Sequence, residues 1–389
     1  MNDVRRICVV TGSRADYGLL RPLLAAIRDA PDMQLQVVAT GMHLAAEFGC
    51  TVQAIEADGF PIDARVDSLL AGDGPAAVAK SVGLGIIGFA DALQRLAPGL
   101  LLVLGDRFEI LAAVQAALFA RIPVAHIAGG DLTEGAVDDA IRHSITKMSH
   151  LHLVTHAEAR ARVIQLGEAP QRVFLVGSPG LDNLRQTPLL DREALAAALG
   201  FRLRPRNLLV TFHPPTLDSR PPAEQLEELL AALDALGDEV GVIFTQANAD
   251  AGGRGLQARI EAYVAGHGNS VLFGTLGELY YSAVAAVDAV VGNSSSGLYE
   301  VPSLGTATVN IGDRQKGRPR ADSVIDCPAE REAILAAIRQ AFSLDCRNAV
   351  NPYGDGHAVE RIMEVLRGCG DFAALTQKRF HDLEVHHGI

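Results

Sequence analysis

Leu100-Leu101-Leu102-Val103-Leu104 ends at Gly105-Asp106-Arg107, gives way to a helix-period stretch over Ile110–Ala120, and resumes as Pro123–Ile127 before Ala128-Gly129-Gly130-Asp131. A wholly apolar run this short, set between polar turns, reads as a strand buried on both faces. A helical stretch between two such strands is the repeating unit of a parallel α/β sheet, because parallel neighbours need a crossover. The pattern extends upstream. Ile7–Val10 leads into Thr11-Gly12-Ser13-Arg14 and a helical Leu19–Ile27, Gln34–Ala39 reads as a second strand, and Gly41-Met42-His43 opens another helix. Downstream the pattern restarts. Ser178-Pro179-Gly180 and Thr187-Pro188 punctuate a hinge. Leu208–Phe212 is a new first strand ending at His213-Pro214-Pro215, followed by Val240–Thr245, Ser270–Phe273, Ala289–Val291 and Ala307–Asn310. The fold class is therefore α/β, with two Rossmann-like doubly wound parallel-sheet domains, 1–180 and 181–389, and an interdomain cleft. The helical tail from about Gly356 is expected to pack back on the first domain.

A length of 389 residues suits two domains, and 49% hydrophobic with 21% charged residues supplies two ordinary cores. The formal net charge of -12 argues against general binding of nucleic acid or anionic membrane. A phosphate-bearing ligand must then be held locally, by a few Arg residues and backbone N–H groups. Cys8, Cys50, Cys327, Cys346 and Cys369 are scattered and show no C-x-x-C spacing. That spacing speaks against a disulfide scaffold or structural zinc and fits a reducing compartment. No apolar run is read as reaching the roughly 18 residues of a membrane span. The apolar residues Ile7 to Val10 are too few for a signal peptide, so a cytoplasmic protein is expected.

Ligands of open parallel sheets bind outside the carboxyl ends of the strands. Arg14, His43, Asp106, Asp131, His213, Gln246 and Asn293–Ser296 all fall there. Thr11-Gly12-Ser13-Arg14 offers free N–H groups and a fork of donors to an anion, or is a plain tight turn with a surface Arg. It is not G-x-G-x-x-G, and no G-x-x-x-x-G-K-[ST] occurs, so neither a nicotinamide cofactor nor a P-loop is expected. Asp106 is either a helix N-cap or a catalytic carboxylate, since both need an acceptor at a helix start.

The stretch from His126 to His150 is the most informative. Asp131, Glu134, Asp138 and Asp139 crowd together after the Gly129-Gly130 turn and lead into an amphipathic helix carrying Arg142 and His143. Crowded carboxylates raise some of their pKa values and divide into acid and base roles. The bland alternative is an acidic surface loop, with Asp139 and Arg142 as an i, i+3 pair. Further on, Pro214-Pro215 fixes the backbone behind His213 and aims its ring. Gly292-Asn293-Ser294-Ser295-Ser296-Gly297 is a phosphate cradle or a Ser-rich cap, with Glu300 about a turn on to accept from ribose hydroxyls. Arg314, Lys316, Arg318 and Arg320 form a basic patch that balances a diphosphate or is a solvated loop.

Taken together these segments resemble the hydrolysing UDP-N-acetylglucosamine 2-epimerases of bacterial sialic and legionaminic acid pathways. The segments that carry it are Thr11-Gly12-Ser13-Arg14-Ala15-Asp16-Tyr17, Thr40-Gly41-Met42-His43, Leu104-Gly105-Asp106-Arg107-Phe108-Glu109 and Arg142-His143-Ser144-Ile145-Thr146-Lys147, with Phe212-His213-Pro214 and Gly292–Gly297 further on. The likeness runs from Ile7 to about Arg361. It implies a GT-B fold, a UDP-sugar partner, a homodimer, and no metal or redox cofactor. It implies elimination of UDP to a 2-acetamidoglucal, followed by hydration to free N-acetylmannosamine. By matching position, Asp106 and Asp138 are the implied catalytic carboxylates, with Asp139 close by and His213 on the leaving phosphate. Arg14 and Ser294–Ser295 would bind the diphosphate and Glu300 the ribose. His43, Arg107, Arg142, His143, Asn293, Ser296, Gly297, Arg314 and Arg318 complete the expected substrate-binding set. Several relatives carry a catalytic Glu where this chain has Ala128, and Asp131 is expected to supply that carboxylate.

Two other enzyme readings share much of this pattern. One is a 2-epimerase for UDP- or GDP-2,4-diacetamido-2,4,6-trideoxyglucose. The other is a GT-B glycosyltransferase, against which the carboxylates from Asp131 to Asp139 argue. A non-catalytic sugar-nucleotide regulator would not need Asp106, Asp138 and Asp139 together.

Overall fold

The computed structural model describes residues 4–46, 49–70, 74–133, 137–215, 220–246 and 253–383, so Glu134 of the acidic stretch lies outside the described residues. The chain forms two compact units. The first runs to Asn183 and takes in the chain again from Tyr353, and the second is built on Leu184–Pro352.

The strands of the first unit are β1 (Arg5–Thr11), β2 (Met33–Thr40), β3 (Ala64–Val66), β4 (Leu100–Leu104), β5 (Val124–Ile127), β6 (Leu151–Val154) and β7 (Val173–Leu175). They lie in the order β3-β2-β1-β4-β5-β6-β7, every pair parallel, with Ile7 between Leu35 and Leu100. Helices α1 (Arg14–Arg28), α2 (Val52–Ala57), α3 (Pro75–Leu96), α4 (Phe108–Phe119), α5 (Val137–Met148) and α6 (Ala157–Gln165) make the crossovers. Helix α7 (Gly180–Gln186) leads out of the unit. Strand side chains alternate between faces, so β1 serves two cores. Ile7 and Val9 pack with Leu20, Leu24 and Ile27 of α1, while Cys8 and Val10 pack with Phe89 and Leu93 of α3 and Val114 of α4.

The second unit repeats the architecture. Its strands β8 (Arg206–Thr211), β9 (Val240–Thr245), β10 (Ser270–Phe273), β11 (Ala289–Gly292), β12 (Ala307–Ile311) and β13 (Val324–Cys327) are all parallel, in the order β10-β9-β8-β11-β12-β13. Its helices are α8 (Arg192–Leu199), α9 (Pro222–Asp234), α10 (Gly253–Gly266), α11 (Tyr280–Ala286), the single turn α12 (Ser296–Tyr299) and α13 (Arg331–Ala341). The last helix, α14 (Ala358–Gly368), belongs to the first unit. Its Ile362, Met363 and Leu366 join the α1 core, and Asp182 caps its start by accepting from the Ala358 and Val359 N–H groups at 3.0 and 3.1 Å.

Three expectations are corrected. Gly41–His43 is one 3-10 turn, because Gly41 sits at φ +56 and breaks the run, and α2 begins only at Val52. Strands β3, β6, β7 and β13 escaped the apolar-run reading because each has only three or four residues and most mix polar with apolar side chains. Helix α3 does have the length and apolar composition of a membrane span, since its many Gly and Ala residues dilute only Lys80, Asp91 and Arg95. Core helices pass the same test, and α3 buries Phe89 and Leu93 against the sheet.

In each sheet the strand order reverses beside its first strand, between β1 and β4 and between β8 and β11. A crevice for ligands opens at such a point, outside the carboxyl ends of the strands.

Candidate active site

In the first unit the turn after β4 is braced from below. His126 of β5 donates from Nε2 to the Gly105 carbonyl at 2.8 Å, and its Nδ1 faces Thr146 Oγ1 of α5 at 3.2 Å. Burial drives the His126 pKa down to about 3, so the ring is a neutral strut. The adjoining Gly-Gly turn is sterically required. A Cβ on Gly130, at φ +84, would lie 2.5 Å from the Ala159 carbonyl, and one on Gly129 would lie 2.8 Å from Thr146 Oγ1. Ala128 adopts φ +62, a conformation rare for a residue with a side chain.

Above this brace sits a charge cluster. Arg142 of α5 is only 3% exposed in its side chain. It donates from Nη2 to the Asp106 carboxylate and from Nη1 to the Asp131 carbonyl at 2.7 Å, with Asp139 Oδ1 3.5 Å away. Asp139 Oδ2 lies 3.4 Å from His143 Nε2. Asp138 stays exposed at the start of α5, yet desolvation by the surrounding chain, and next the Asp106 charge, raise its acid above the usual value. The structure thus brings Asp106, Asp138, Asp139, Arg142 and His143 together. Arg142 is the buried cation of this group.

Asp131 and His43 are likewise enclosed and engaged by neighbours. Asp131 Oδ1 accepts from Thr155 Oγ1 at 3.1 Å and from His156 Nε2 at 3.0 Å. His43 places its two ring nitrogens 2.9 Å from Thr11 Oγ1 and 2.7 Å from Thr51 Oγ1, and burial lowers its pKa to about 4. Arg14 differs. It is exposed in the first turn of α1, and no described residue takes its guanidinium.

The sequence reading assigned no role to Asp16 or Glu109. Glu109 is buried and accepts from Arg107 Nη2 at 2.9 Å, which turns Arg107 inward. Gly41 makes room for it, since a Cβ there would lie 2.6 Å from Glu109 Oε1. Asp16 is buried next to this group, and burial pushes its acid up to about 6. The available signal was one acid near the start of an otherwise apolar helix, Phe108-Glu109-Ile110-Leu111.

In the second unit, Gly292 ends β11 at φ +137, where a Cβ would lie 1.9 Å from the Thr211 carbonyl of β8. The bare backbone lets Asn293 reach the neighbouring loop. Its Oδ1 accepts from the His213 N–H at 2.7 Å and its Nδ2 donates to the His213 carbonyl at 2.8 Å. Asn293 is therefore a clamp on the His213 loop. His213 is buried, and burial followed by the Arg314 charge lowers its pKa to about 4. Arg314 Nη1 and Gln315 Nε2 donate to the Asn293 carbonyl at 3.0 and 2.9 Å. Arg318 bonds Gln315 Oε1 at 2.7 Å and lies over the Tyr299 ring, whereas Lys316 and Arg320 pair with Asp313 and Asp326.

Ser294 and Ser295 are half-buried, while Gly297 is buried against Thr308. The helix behind them is one turn, so its dipole is weaker than the sequence suggested. Ser296 shares a hydrogen bond with Tyr280. Glu300 has an enclosed Oε2 without a hydrogen-bond partner, and burial pushes its acid up to about 7. Folding thus raises its proton affinity above that of an ordinary glutamate, near 4.5. Its contribution to stability is greatest below about pH 4.5 and is lost as pH rises through about 7. Glu300→Gln should therefore melt increasingly above the parent as pH is raised across that window. Parallel melting curves at every pH would refute the burial argument.

Residues 25–367 match the family described as UDP-N-acetylglucosamine 2-epimerase. The chain belongs to this family. It is 41% identical to the GDP/UDP-N,N'-diacetylbacillosamine 2-epimerase (hydrolyzing) of Campylobacter jejuni, over 83% of this chain and 84% of the relative. It is 38% identical to the polysialic acid biosynthesis protein P7 of Escherichia coli, over 97% of both. A crystal structure of a Listeria monocytogenes protein described as a UDP-N-acetylglucosamine 2-epimerase superposes with TM-score 0.81 at 18% identity, covering 98% of this chain and 100% of that one. At that identity the superposition establishes the fold, which is GT-B, with its two doubly wound sheets. Membership fits a chain whose cations and carboxylates gather at the two points where strand order reverses.

Proposed function

We propose that this epimerase-family chain is a hydrolysing 2-epimerase that converts UDP-N-acetylglucosamine to UDP and N-acetylmannosamine. The observation that carries the reading is the carboxylate group Asp106, Asp138 and Asp139 gathered on Arg142 at the ends of β4 and α5. Loss of the C2 proton needs a carboxylate more basic than usual, and Asp138, raised by burial and by Asp106, fills that role. UDP leaves with its bonding electrons to give the 2-acetamidoglucal. Asp106 is the second acid/base group, passing a proton to the intermediate as water adds at C1. That proton reaches C2 on the face opposite the one Asp138 deprotonated, which inverts the centre, while the adding water gives a proton back to Asp106 and Asp138 releases its own to solvent. The sequence consumes one water and is redox-neutral.

The leaving diphosphate needs cations and N–H donors. Arg14, Arg318 and the Ser294–Ser295 backbone supply them, with neutral His213 as a hydrogen-bond donor and Glu300 on the ribose. Arg14→Ala should weaken UDP binding by about 10-fold or more, as for loss of a charge-assisted contact. Titration calorimetry with UDP checks this, and unchanged affinity removes Arg14 from the phosphate site. The reading places the reaction in the cytoplasm, in keeping with five free cysteines.

The 41% identity to a diacetylbacillosamine enzyme favours a second substrate, the UDP- or GDP-linked 2,4-diacetamido-2,4,6-trideoxy sugar. One experiment separates the two. Incubation with UDP-N-acetylglucosamine in deuterated water, followed by proton NMR, should release UDP and N-acetylmannosamine deuterated at C2. Turnover of only the diacetamido sugar nucleotide transfers the assignment to that substrate. Silence with both overturns the epimerase reading.

A further inference from the structure

Helix α5 carries Asp138, Asp139 and Arg142 towards its start, and its far end is closed by a residue from the C-terminal segment. The last carbonyls of a helix find no partner within it. Here Ser149 takes two of them, donating from Oγ to the Ile145 carbonyl at 2.8 Å and from its N–H to that of Thr146 at 3.1 Å. The Lys147 carbonyl accepts from Lys378 Nζ at 2.5 Å, and the Ser149 carbonyl accepts from the same ammonium at 2.8 Å. The remaining partner of Lys378 is the buried carboxylate of Glu168, 2.9 Å away. An ammonium has three donors, so Lys378 spends all of its capacity at this junction.

The chain is pinned on both sides of Lys378. Arg172 donates to the Leu375 and Gln377 carbonyls at 2.8 and 3.0 Å, and the His381 N–H donates to the Gly167 carbonyl at 2.9 Å. Phe380 lies so close to Gly167 that a Cβ on that glycine would run into the ring, and Lys147 Nζ stands 4.6 Å from the ring centre. Burial alone would raise the Glu168 acid, but the hydrogen bonds of His152, Lys147 and Lys378 hold it down at about 2, so the anchor stays charged. Its Oε2 faces His152 Nε2 at 2.9 Å, and His152 pairs in register with His126, the strut beneath the Gly105 carbonyl.

We propose that Lys378 is a positioning residue of the reaction, the fastening of a C-terminal strap that fixes the end of α5 and thereby sets Asp138 and Asp139 against Asp106. The inference rests on the reading of these carboxylates as the reacting groups. Arg142 ties the start of α5 to the β4 turn, and Lys378 ties its end to the loop that carries Glu168. Asp138 and Lys147 are about 13.5 Å apart along a stiff helix, so play at one end is carried to the other. A displacement of about 1 Å in a reacting group is enough to cost rate.

The test uses the full chain and Lys378→Met, which keeps the stem and removes the donors. Turnover of whichever sugar nucleotide the parent converts should fall by about 10-fold, with KM and UDP affinity within about 2-fold of the parent. Amide exchange read by mass spectrometry needs no substrate, so it decides the inference even where the parent converts neither sugar nucleotide. The amides of Ile141, Arg142 and His143 should exchange about 10-fold faster in Lys378→Met. Lys378→Arg keeps a charge and donors for the same carbonyls, and should return both readings to within about 3-fold of the parent. Phe380→Ala loosens the strap without touching the ammonium, and reads the same pattern at about 3-fold should Lys378→Met fail to fold. Faster exchange confined to residues beyond Thr146, with turnover intact, would reduce the strap to a local cap and overturn the proposal. A loss of UDP affinity in step with turnover, or an arginine variant no better than Lys378→Met, would overturn it as well.

Discussion

Asp106→Asn is expected to lower turnover by about 100-fold or more while leaving affinity for UDP unchanged. Asn keeps the shape of the side chain and one acceptor oxygen for Arg142, so α5 should stay in place. What disappears is a group able to take up and release a proton, together with the negative charge that helps raise Asp138. The variant should therefore show two effects. Its turnover falls, and the residual activity titrates at lower pH, because Asp138 is no longer pushed up by its neighbour. Burst kinetics and calorimetry with UDP separate a lost chemical step from lost binding. Near-normal turnover would remove Asp106 from the mechanism. A matching loss of UDP affinity would show that the carboxylate acts on the nucleotide rather than on the proton.

The alternation of apolar strands with helix-period stretches made both sheets legible, because parallel strands buried on both faces are written as unbroken apolar runs. Leu100–Leu104 was read at its observed limits. The short edge strands β3, β7 and β13 were not legible, since an edge strand need not be apolar on both faces. Loop chemistry was read well where charge types crowd together, as in Asp138 to His143. It was read less well where a polar side chain turns inward to support its neighbours. Asn293 resembled a ligand contact in the sequence, and only Gly292 beside it, with no room for a Cβ, explains why the amide reaches His213. His43 reads as a substrate-binding residue, and nothing local reveals that Thr11 and Thr51 face both of its ring nitrogens. Glu109 lies in a segment quoted for the resemblance, and nothing in the sequence marks it as the partner of Arg107. For Asn293 and His43 the deciding contacts come from other segments of the chain, and sequence periodicity carries no information about such pairings.

Arg142→Met should show how far the catalytic group depends on one buried cation. Met keeps the length and most of the volume of the side chain, so α5 retains its packing while losing the fork of donors. Asp106 and Asp139 would then lose the cation they share, and the Asp131 carbonyl would lose its 2.7 Å partner. Removing one partner of a fully buried pair costs about 3–5 kcal/mol. Here the carboxylates of Asp106 and Asp139 are 26% and 30% exposed, so water offsets part of the loss. The expected cost is then about 2–3 kcal/mol, or a fall in melting temperature of roughly 5–10 °C. Asp138, already raised by burial and by the Asp106 charge, also loses the lowering influence of Arg142, so the loss of stability grows as pH rises. Turnover should fall by about 100-fold or more even below the melting range, because the charge that orders Asp106 has gone. Adding Asp106→Asn to Arg142→Met tests the coupling directly. The double variant should be no less stable than Arg142→Met alone, since the stranded charge is removed with its partner. Additive losses would mean that Arg142 stabilises the unit through contacts other than Asp106, and that the electrostatic account of this site is wrong.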